Sequence, residues 1–172
     1  MNTITNHSNN VLNVIFKGVE EVFNIVKVTY GPLGKNILIK LPKKLLIVDD
    51  GVTVVNNIKN NDNDNNIGIM LCQSISNAVN DHCGDGTTTS IVFFYYLLKY
   101  SLDKINNGVE PKKIIVSLNN SLNRLLKNID KYKLNINTIN IENVLISTTL
   151  NYDIIKNVKK AYEIVGSTGL IF

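Results

Sequence analysis

The sequence contains no apolar stretch long enough to cross a membrane. Its longest apolar run, Ile91 to Leu98, has eight residues, whereas a membrane-spanning helix needs about 20. Residues 1–10 also lack the basic and apolar regions of a secretory signal and the arginine-rich pattern of an organelle presequence. A transmembrane protein, and transport through a recognisable presequence, are therefore not expected.

Cysteine is scarce. Cys72 and Cys83 are the two present, and their spacing fits no paired metal or redox motif. His82 adjoins Cys83, but adjacent residues on a helix project in different directions, which is poor geometry for one zinc ion. The sequence therefore predicts buried free thiols in a reducing compartment rather than a metal site.

Arginine is nearly absent, since Arg124 stands alone beside 17 lysines, and the net charge is +4. The lysines are scattered along the chain, and the predicted helices carry acidic residues as well. This distribution favours a solvated, mildly basic surface over a nucleic-acid interface.

The hydrophobic content is 44% over 172 residues, which is enough for a core in one domain, or one domain and the start of another. Apolar residues recur at three- and four-residue spacings, and this predicts helices over residues 10–28, 67–83, 90–106, 111–129, 141–147 and 153–165. The helix over 90–106 is apolar on most faces, so we expect it in the middle of a helical layer. The fold class is therefore mostly α.

Segments with strand character are few. Residues 37–41 and 45–48 flank a short polar connection and predict a β-hairpin, and residues 170–172 predict the start of another strand. Residues 52–58 fit a short helix or a strand. The asparagine-rich residues 60–66 predict a flexible loop rather than a calcium site, because the glycine and glutamate of an EF-hand loop are missing.

The segment Gly84-Asp-Gly-Thr-Thr-Thr89 lies between two predicted helices. Its glycines permit close backbone approach, and the first turn of the following helix offers unpaired N–H groups to an anion. Asp85 beside a phosphate would require a cation such as Mg²⁺. The alternative is a helix break capped by aspartate or threonine, which explains one or two of the six residues. Phosphate binding is the favoured interpretation.

Two further segments carry weaker signals. Thr29-Tyr-Gly-Pro-Leu-Gly-Lys-Asn36 resembles a Walker A loop only superficially, because its spacing is too short, and it is equally consistent with a helix-to-strand turn. Asp49-Asp50-Gly51 could be another turn, or a pair of carboxylates that holds Mg²⁺ and orients water.

Together these segments resemble the chaperonin family. Thr29-x-Gly-Pro-x-Gly-x-Asn36, Asp50-Gly-Val52 and Gly84-Asp-Gly-Thr-Thr-Thr89 occur in the order and spacing of chaperonins. Lys35-Asn36 and Val165-Gly-x-x-Gly-Leu-Ile171 are more similar to the group I (GroEL-like) branch than to group II. The resemblance runs from about residue 10 to the last residue.

The resemblance implies a subunit of an ATP-driven protein-folding ring, with ATP and Mg²⁺ as cofactors. Residues 1–132 would form the first half of a multi-helical equatorial nucleotide-binding domain, and residues 133–172 the α+β beginning of the intermediate hinge domain. The partners would be other chaperonin subunits in a homo- or hetero-oligomeric ring, with the hairpin at 37–48 pairing with a neighbour. Unfolded polypeptides would bind only through the apical domain, which this chain lacks, and no nucleic acid or membrane is implied.

The resemblance also implies site residues. The segment Thr29–Asn36 would contact adenine nucleotide through Thr29, Tyr30, Gly31 and Pro32. Asp85 would ligate Mg²⁺, and the phosphates would be held by Gly86, Thr87, Thr88 and Thr89. Asp50 would help order the hydrolytic site, and Ile146-Ser147 match a pair that approaches the nucleotide.

The chain departs from the family in two main respects. Asp49 stands where the family usually has lysine, which should weaken nucleotide binding; Tyr30 in place of leucine is a milder change. The apical domain and the C-terminal equatorial half, with its catalytic aspartate, are absent, so hydrolysis by this chain alone is not expected. A non-catalytic assembly module, or a truncated, degenerate chaperonin without ATPase activity, is the alternative.

Two expectations follow from this resemblance. Half a domain leaves helical faces without a complement, so we expect poor solubility of the isolated chain. The position of the first motif leaves no room for a transit peptide, which suits a bacterial cytoplasm or a plastid or mitochondrial matrix.

Overall fold

The computed structural model describes residues 8–31, 33–59, 66–133, 141–148, 151–166 and 169–171. These residues form a hairpin of β1 (Ile37–Lys40) and β2 (Leu45–Val48), with short 3₁₀ turns at Lys27–Thr29 and Asp130–Tyr132. The helices are α1 (Ser8–Val26), α2 (Gly51–Asn57), α3 (Asn66–Cys83), α4 (Thr87–Asn106), α5 (Pro111–Ile129), α6 (Ile141–Thr148) and α7 (Tyr152–Val165). The prediction of a mostly α-helical fold with a small hairpin is confirmed. None of the described helices is both long and apolar enough to cross a membrane.

The chain forms two compact units, residues 1–115 and residues 116–172. Helix α5 begins in the first unit and ends in the second. All three motif segments identified in the sequence lie within the first unit.

The core of the first unit lies where α1, α3 and α4 pack against one another, with α2 filling one side. Spacings of three and four residues place the apolar side chains of each helix on the shared face. The buried side chains are Val19, Val22, Phe23, Val26, Val54, Val55, Ile69, Cys72, Ile91 and Tyr95.

An aromatic stack joins α1 to α4. The rings of Phe23 and Tyr95 are parallel with centroids 3.8 Å apart, and Phe16 stacks on Tyr95 at 5.5 Å. The buried Tyr95 hydroxyl donates to Glu20 Oε1 at 3.2 Å, so its polar end is satisfied. Burial, together with the neighbouring Glu20, raises the pKa of Tyr95 above its usual value.

Helix α4 is not enclosed on all sides, contrary to the sequence-based expectation. Ile91 and Tyr95 face the core, but Phe93 and Tyr100 on the other side are 59% and 62% exposed. The reason is that α1, α2 and α3 cover only one side of α4 in this chain.

The predicted hairpin is present, with β1 antiparallel to β2 and Leu38 opposite Ile47. One face of the hairpin packs against the core through Ile37, Ile39 and Val48. The other face exposes Leu38 and Ile47, because side chains alternate between the two faces of a strand.

Several local predictions are settled by the structure. Residues 52–57 are helical, within α2, and α4 begins at Thr87 rather than at residue 90. The strand expected at 170–172 does not form at Leu170 or Ile171, because no described segment pairs with them. Most of the predicted loop at 60–66 lies outside the described residues, while Asn66 begins α3.

The two thiols differ from the expectation that both would be buried. Cys72 is fully buried and burial raises its pKa to about 12, whereas Cys83 is exposed at the end of α3. Both cysteines are free.

In the second unit α6 packs against α7. Asn151 caps α7 by accepting from the amides of Asp153 and Ile154. Lys159 on α7 donates to Glu142 on α6 at 2.8 Å, and this hydrogen bond raises the pKa of Lys159. By contrast, none of the residues of α5 is buried.

Candidate functional site

The segment before α4 has the conformation expected of an anion-binding turn. Gly84 and Gly86 have φ of 73° and 87°, in the left-handed region that favours glycine. Gly86 occupies the N-cap position and no side chain caps α4. The Asp85 carboxylate instead accepts from the Gly86 amide at 2.6 Å. The first-turn amides of α4 therefore remain available, which disfavours the interpretation of this segment as a capped helix break.

The three successive threonines all lie in the first turn of α4, because the helix begins earlier than predicted. Their side chains have different surroundings, with Thr87 buried, Thr88 partly buried and Thr89 exposed. The three threonine side chains therefore differ in their exposure to solvent.

Thr88 joins the motif Gly84–Thr89 to the motif Thr29–Asn36. Its hydroxyl oxygen lies 3.0 Å from that of Thr29, 59 residues earlier in the chain. Thr29 is buried and donates its hydroxyl hydrogen to the Val26 carbonyl at 2.9 Å. The end of α1 and the start of α4 are thereby held in contact.

Gly51 joins the motif Asp50–Val52 to the motif Gly84–Thr89. A β-carbon at position 51 would lie 2.7 Å from Thr87 Oγ1, 2.9 Å from the Thr88 amide nitrogen, and closer still to Thr88 Oγ1. Only glycine allows the start of α2 to approach α4 this closely. All three motifs of the sequence therefore converge at the first turn of α4.

Asp50 has a visible structural role. Its Oδ2 accepts from the Thr53 amide at 3.0 Å and from the Thr53 hydroxyl at 2.6 Å, which makes it the N-cap of α2. Thr53 was not singled out by the sequence reasoning, although aspartate three residues before threonine is a recognisable capping pattern. The neighbouring Asp49 is exposed.

The described residues of the motif Thr29–Asn36 form a tight loop. The Gly34 amide donates to the Gly31 carbonyl at 2.9 Å, and the Lys35 amide donates to the Val28 carbonyl at 2.7 Å. Gly31 has φ of 79°, and the Tyr30 side chain is half-exposed. Pro32 lies outside the described residues.

The remaining predicted site residues lie in the other unit. Ile146 and Ser147 are on α6, and the Ile146 side chain is about half-exposed. The Ser147 side chain lies outside the described part of the chain. The first unit thus brings together Thr29, Asp50, Gly51, Asp85, Gly86 and the three threonines. Ile146 and Ser147 belong to the second unit.

Comparison with known proteins gives a consistent family. The sequence pattern of the TCP-1/cpn60 chaperonin family matches residues 22–163. Chaperonin GroEL of Mycoplasma genitalium is 32% identical over 161 residues, which cover 91% of this chain and 29% of that protein. The chloroplastic chaperonin GroEL of Trieres chinensis is 30% identical over 168 residues, covering 96% of this chain and 32% of that protein. The chain thus spans about a third of the length of these relatives.

Solved structures show the same fold. The chaperonin gp146 of bacteriophage EL 2 (Pseudomonas aeruginosa), in the presence of ATP-BeFx, is similar with a TM-score of 0.76 at 20% identity. That similarity covers 96% of this chain and 30% of the phage protein. A group III chaperonin in the open state gives a TM-score of 0.66 at 22% identity, over 77% of this chain and 26% of that protein.

Proposed function

The chain belongs to the TCP-1/cpn60 chaperonin family, and on that premise we propose that its first unit forms one side of an ATP-binding site. The observation that carries this proposal is the convergence of three separate motifs on the first turn of α4, through Thr29, Gly51 and Thr88. A turn that served only to connect two helices would not require such close contacts with residues far away in the chain.

The residues present fit a magnesium-bound nucleotide. The first-turn amides of α4 and the exposed Thr89 hydroxyl offer donors to phosphate oxygens. Asp85 is exposed beside them and would supply a carboxylate to Mg²⁺. Across the described residues no three histidine, cysteine or acidic side chains cluster into a metal site, so phosphates and water would have to supply the remaining ligands.

The other proposed contacts extend the site beyond the phosphates. The loop that starts at Thr29, with Tyr30, Gly31 and Pro32, would lie against the nucleotide. Ile146-Ser147 are assigned to the nucleotide by the family resemblance alone. Asp50 would order the hydrolytic site while it caps α2. Bound ATP would supply the energy for the conformational cycle of a folding ring.

We propose further that the chain acts in a group I ring with other chaperonin subunits. The exposed Leu38 and Ile47 on the outer face of the hairpin support a subunit contact there. The named relatives are bacterial and chloroplastic, which suits a bacterial cytoplasm or an organelle matrix.

A second candidate function is a non-catalytic assembly module. The exposed Asp49 favours it, because an anion beside the phosphates would weaken nucleotide binding. Co-purification with an intact ring in the absence of bound nucleotide would favour this function over the first.

The direct test is titration of the purified chain with Mg-ATP by calorimetry and by thermal unfolding. We expect saturable binding and a rise in melting temperature. Gly51→Ala should abolish both, because its β-carbon would collide with Thr87 and Thr88. Gly108→Ala is the control for backbone strain: its β-carbon meets open space but its φ is 84°, so it should lower the melting temperature and still bind Mg-ATP. No shift of the wild-type chain at millimolar Mg-ATP would contradict the proposal.

A further inference from the structure

Helix α5 carries a row of apolar side chains that none of the described segments covers. No residue of α5 is buried, and each side chain of the row is between 39% and 58% exposed. At 3.6 residues per turn these side chains lie along one side of the helix over about 21 Å. The members of this row, which we call the Leu122 row, are Ile115, Leu118, Leu122, Leu126 and Ile129.

The Leu122 row has the same order of residues in both chain directions. Its members are separated by three, four, four and three positions, with isoleucine at both ends and leucine between them. A two-fold axis at Leu122, perpendicular to the helix, therefore matches every position of the row to a second, antiparallel copy of α5. Leu122 meets its own counterpart, Leu118 meets Leu126, and the two isoleucines meet each other. Such a self-complementary patch is typical of the isologous interface in two-fold dimers.

The charges beside the Leu122 row complement each other in the same arrangement. Lys112 and Asp130 both lie about 80° from Leu122 around the helix axis, on the same side of the row. The two-fold axis places Lys112 of one copy only about 3 Å along the helix axis from Asp130 of the other, and this pair occurs twice. Asp130 also pairs with Lys133 of its own chain, but its carboxylate is 71% exposed and has two oxygens, so it is able to accept from a second cation.

The other cations of α5 are compatible with this packing. They lie on the opposite side of the helix from the Leu122 row and do not face the second copy. These cations are Lys113, Arg124 and Lys127. In a parallel pair, by contrast, Lys112 and Asp130 would be about 27 Å apart along the axis, and neither would find an opposite charge in the second copy. The charges therefore favour the antiparallel pair.

We propose that the Leu122 row is the interface of a homodimer, in which two α5 helices pack antiparallel about a two-fold axis at Leu122 and are flanked by two ion pairs between Lys112 and Asp130. The inference is independent of the nucleotide site, since it uses no residue of that site. Leu125 lies beside the row and stays at the edge of the pair, so dimers continue to associate at high concentration. One helix face is smaller than the standard interface of about 800 Å² per partner, so we expect a micromolar dissociation constant.

Cysteine cross-linking of the dilute full chain tests the two-fold axis. The variants are made in a Cys83→Ser background, which removes the exposed native thiol. Leu122→Cys places two thiols at the axis, so oxidation with copper phenanthroline should give a disulfide-linked dimer. Ile129→Cys is the matched control, because Leu122 and Ile129 are both 51% exposed, but its two thiols would lie about 21 Å apart along the axis. It should not link to itself, and it should link to Ile115→Cys when the two variants are mixed.

Charge reversal tests the flanking ion pairs, with sedimentation equilibrium as the measurement. Lys112→Glu and Asp130→Lys each replace two attractive contacts with two repulsive ones, so each should weaken dimerisation about tenfold. The double variant restores opposite charges and should return to near the wild-type dissociation constant. Because no residue of α5 is buried, all of these variants should keep the helix content of the wild type, as circular dichroism would show.

Three results would overturn the proposal. The first is a wild-type chain that sediments as a monomer at about 100 μM, well above the expected dissociation constant. The second is equal cross-linking of Leu122→Cys and Ile129→Cys, which would indicate parallel or unregistered association. The third is protection of Leu122→Cys from iodoacetamide only after an intact chaperonin ring is added, which would make another chaperonin subunit the occupant. Mg-ATP binding is measured separately on the same preparation, so failure of the dimer would leave the proposed nucleotide site standing.

Discussion

The hydroxyl of Thr88 lies 3.0 Å from the hydroxyl of Thr29, which links the start of α4 to the end of α1 across 59 residues. Because Gly51 contacts the same turn, the segments that carry the family motifs form one packed cluster rather than three independent loops. A change in one of them should therefore affect the others. Separating the roles of individual residues thus requires pairs of matched variants.

Asp50 provides the first case, because it caps α2 in addition to its proposed role in hydrolysis. Asp50→Ala removes the acceptor of the Thr53 amide and hydroxyl, and it should lower the free energy of unfolding by about 1 kcal/mol. Asp50→Asn keeps an oxygen acceptor and should cost much less, since asparagine is an equally good N-cap. Chemical denaturation of the two variants measures the difference.

The same two variants separate the capping role of Asp50 from its proposed role in ATP hydrolysis. In an assembled ring that hydrolyses ATP, Asp50→Asn should lose hydrolysis while it retains stability and nucleotide binding. Equal destabilisation by alanine and asparagine would contradict the capping argument, because asparagine keeps the oxygen acceptor that alanine removes.

Much of this arrangement could be predicted from the sequence. Apolar spacing predicts the helices well because α1, α3 and α4 each bury one stripe of side chains, and two short β-rich runs predict the hairpin. The motif Gly84–Thr89 pointed to a phosphate site, since glycine and threonine at a helix start have few other shared uses.

Other features depend on tertiary contacts that no local pattern contains. The different environments of Thr87, Thr88 and Thr89 arise from packing against Thr29 and Gly51, far away in the chain. The exposed side of α4 could not be predicted either, because an apolar helix has the same sequence pattern whether or not a neighbour covers it. Likewise, Cys72 and Cys83 differ in burial because Cys72 lies in the core cluster, whereas Cys83 is exposed at the end of α3.

Asp49 should limit nucleotide affinity. It is exposed and next to Asp50, and replacing it with asparagine or lysine removes an anion from the proposed phosphate site. Asp49→Lys should strengthen Mg-ATP binding by up to about fivefold, and Asp49→Asn by less. The gain should shrink at high ionic strength, because salt screens exposed charges.

Asp103→Lys is the control for this charge effect. It makes the same change at the other end of α4, about 25 Å from Gly86 along the helix. At physiological salt that distance exceeds the screening length, so affinity should not change. An equal gain from both variants would mean that net charge, rather than the site, determines binding.

The two cysteines should differ in reactivity with pH. Burial raises the pKa of Cys72 from 9.0 to about 12, so its thiol stays protonated at pH 9, and the thiolate is the reactive form. Iodoacetamide should therefore add one group per native chain, at Cys83, and two in denaturant. Cys83→Ser should give no adduct in the native state, as mass spectrometry would show.

The raised pKa of Cys72 also determines how the free energy of unfolding changes with pH. The unfolded thiol of Cys72 ionises near 9.0, whereas the folded thiol keeps its proton up to about 12. The unfolded state thus loses the proton first, and this thiol lowers the free energy of unfolding progressively as the pH rises above 9. Rapid labelling of Cys72 in the native protein would contradict its burial.

Helix α5 should control the solubility of the isolated chain. Five of its apolar residues recur at three- and four-residue spacings, yet none is buried, and each of the five remains between 39% and 60% exposed. These residues, which we call the α5 stripe, are Ile115, Leu118, Leu122, Leu125 and Ile129. A contiguous exposed apolar surface of this kind promotes association, so we expect the wild-type chain to aggregate.

Charged substitutions in the α5 stripe should reduce this aggregation without loss of core packing. The double variant Leu122→Glu and Leu125→Lys should increase the soluble fraction and leave the helix content unchanged, as measured by light scattering and circular dichroism. Ser117→Glu with Asn120→Lys adds the same charges on the polar side of α5 and should leave aggregation as it was. Equal improvement by both pairs would attribute the effect to added charge, because only the first pair removes apolar surface.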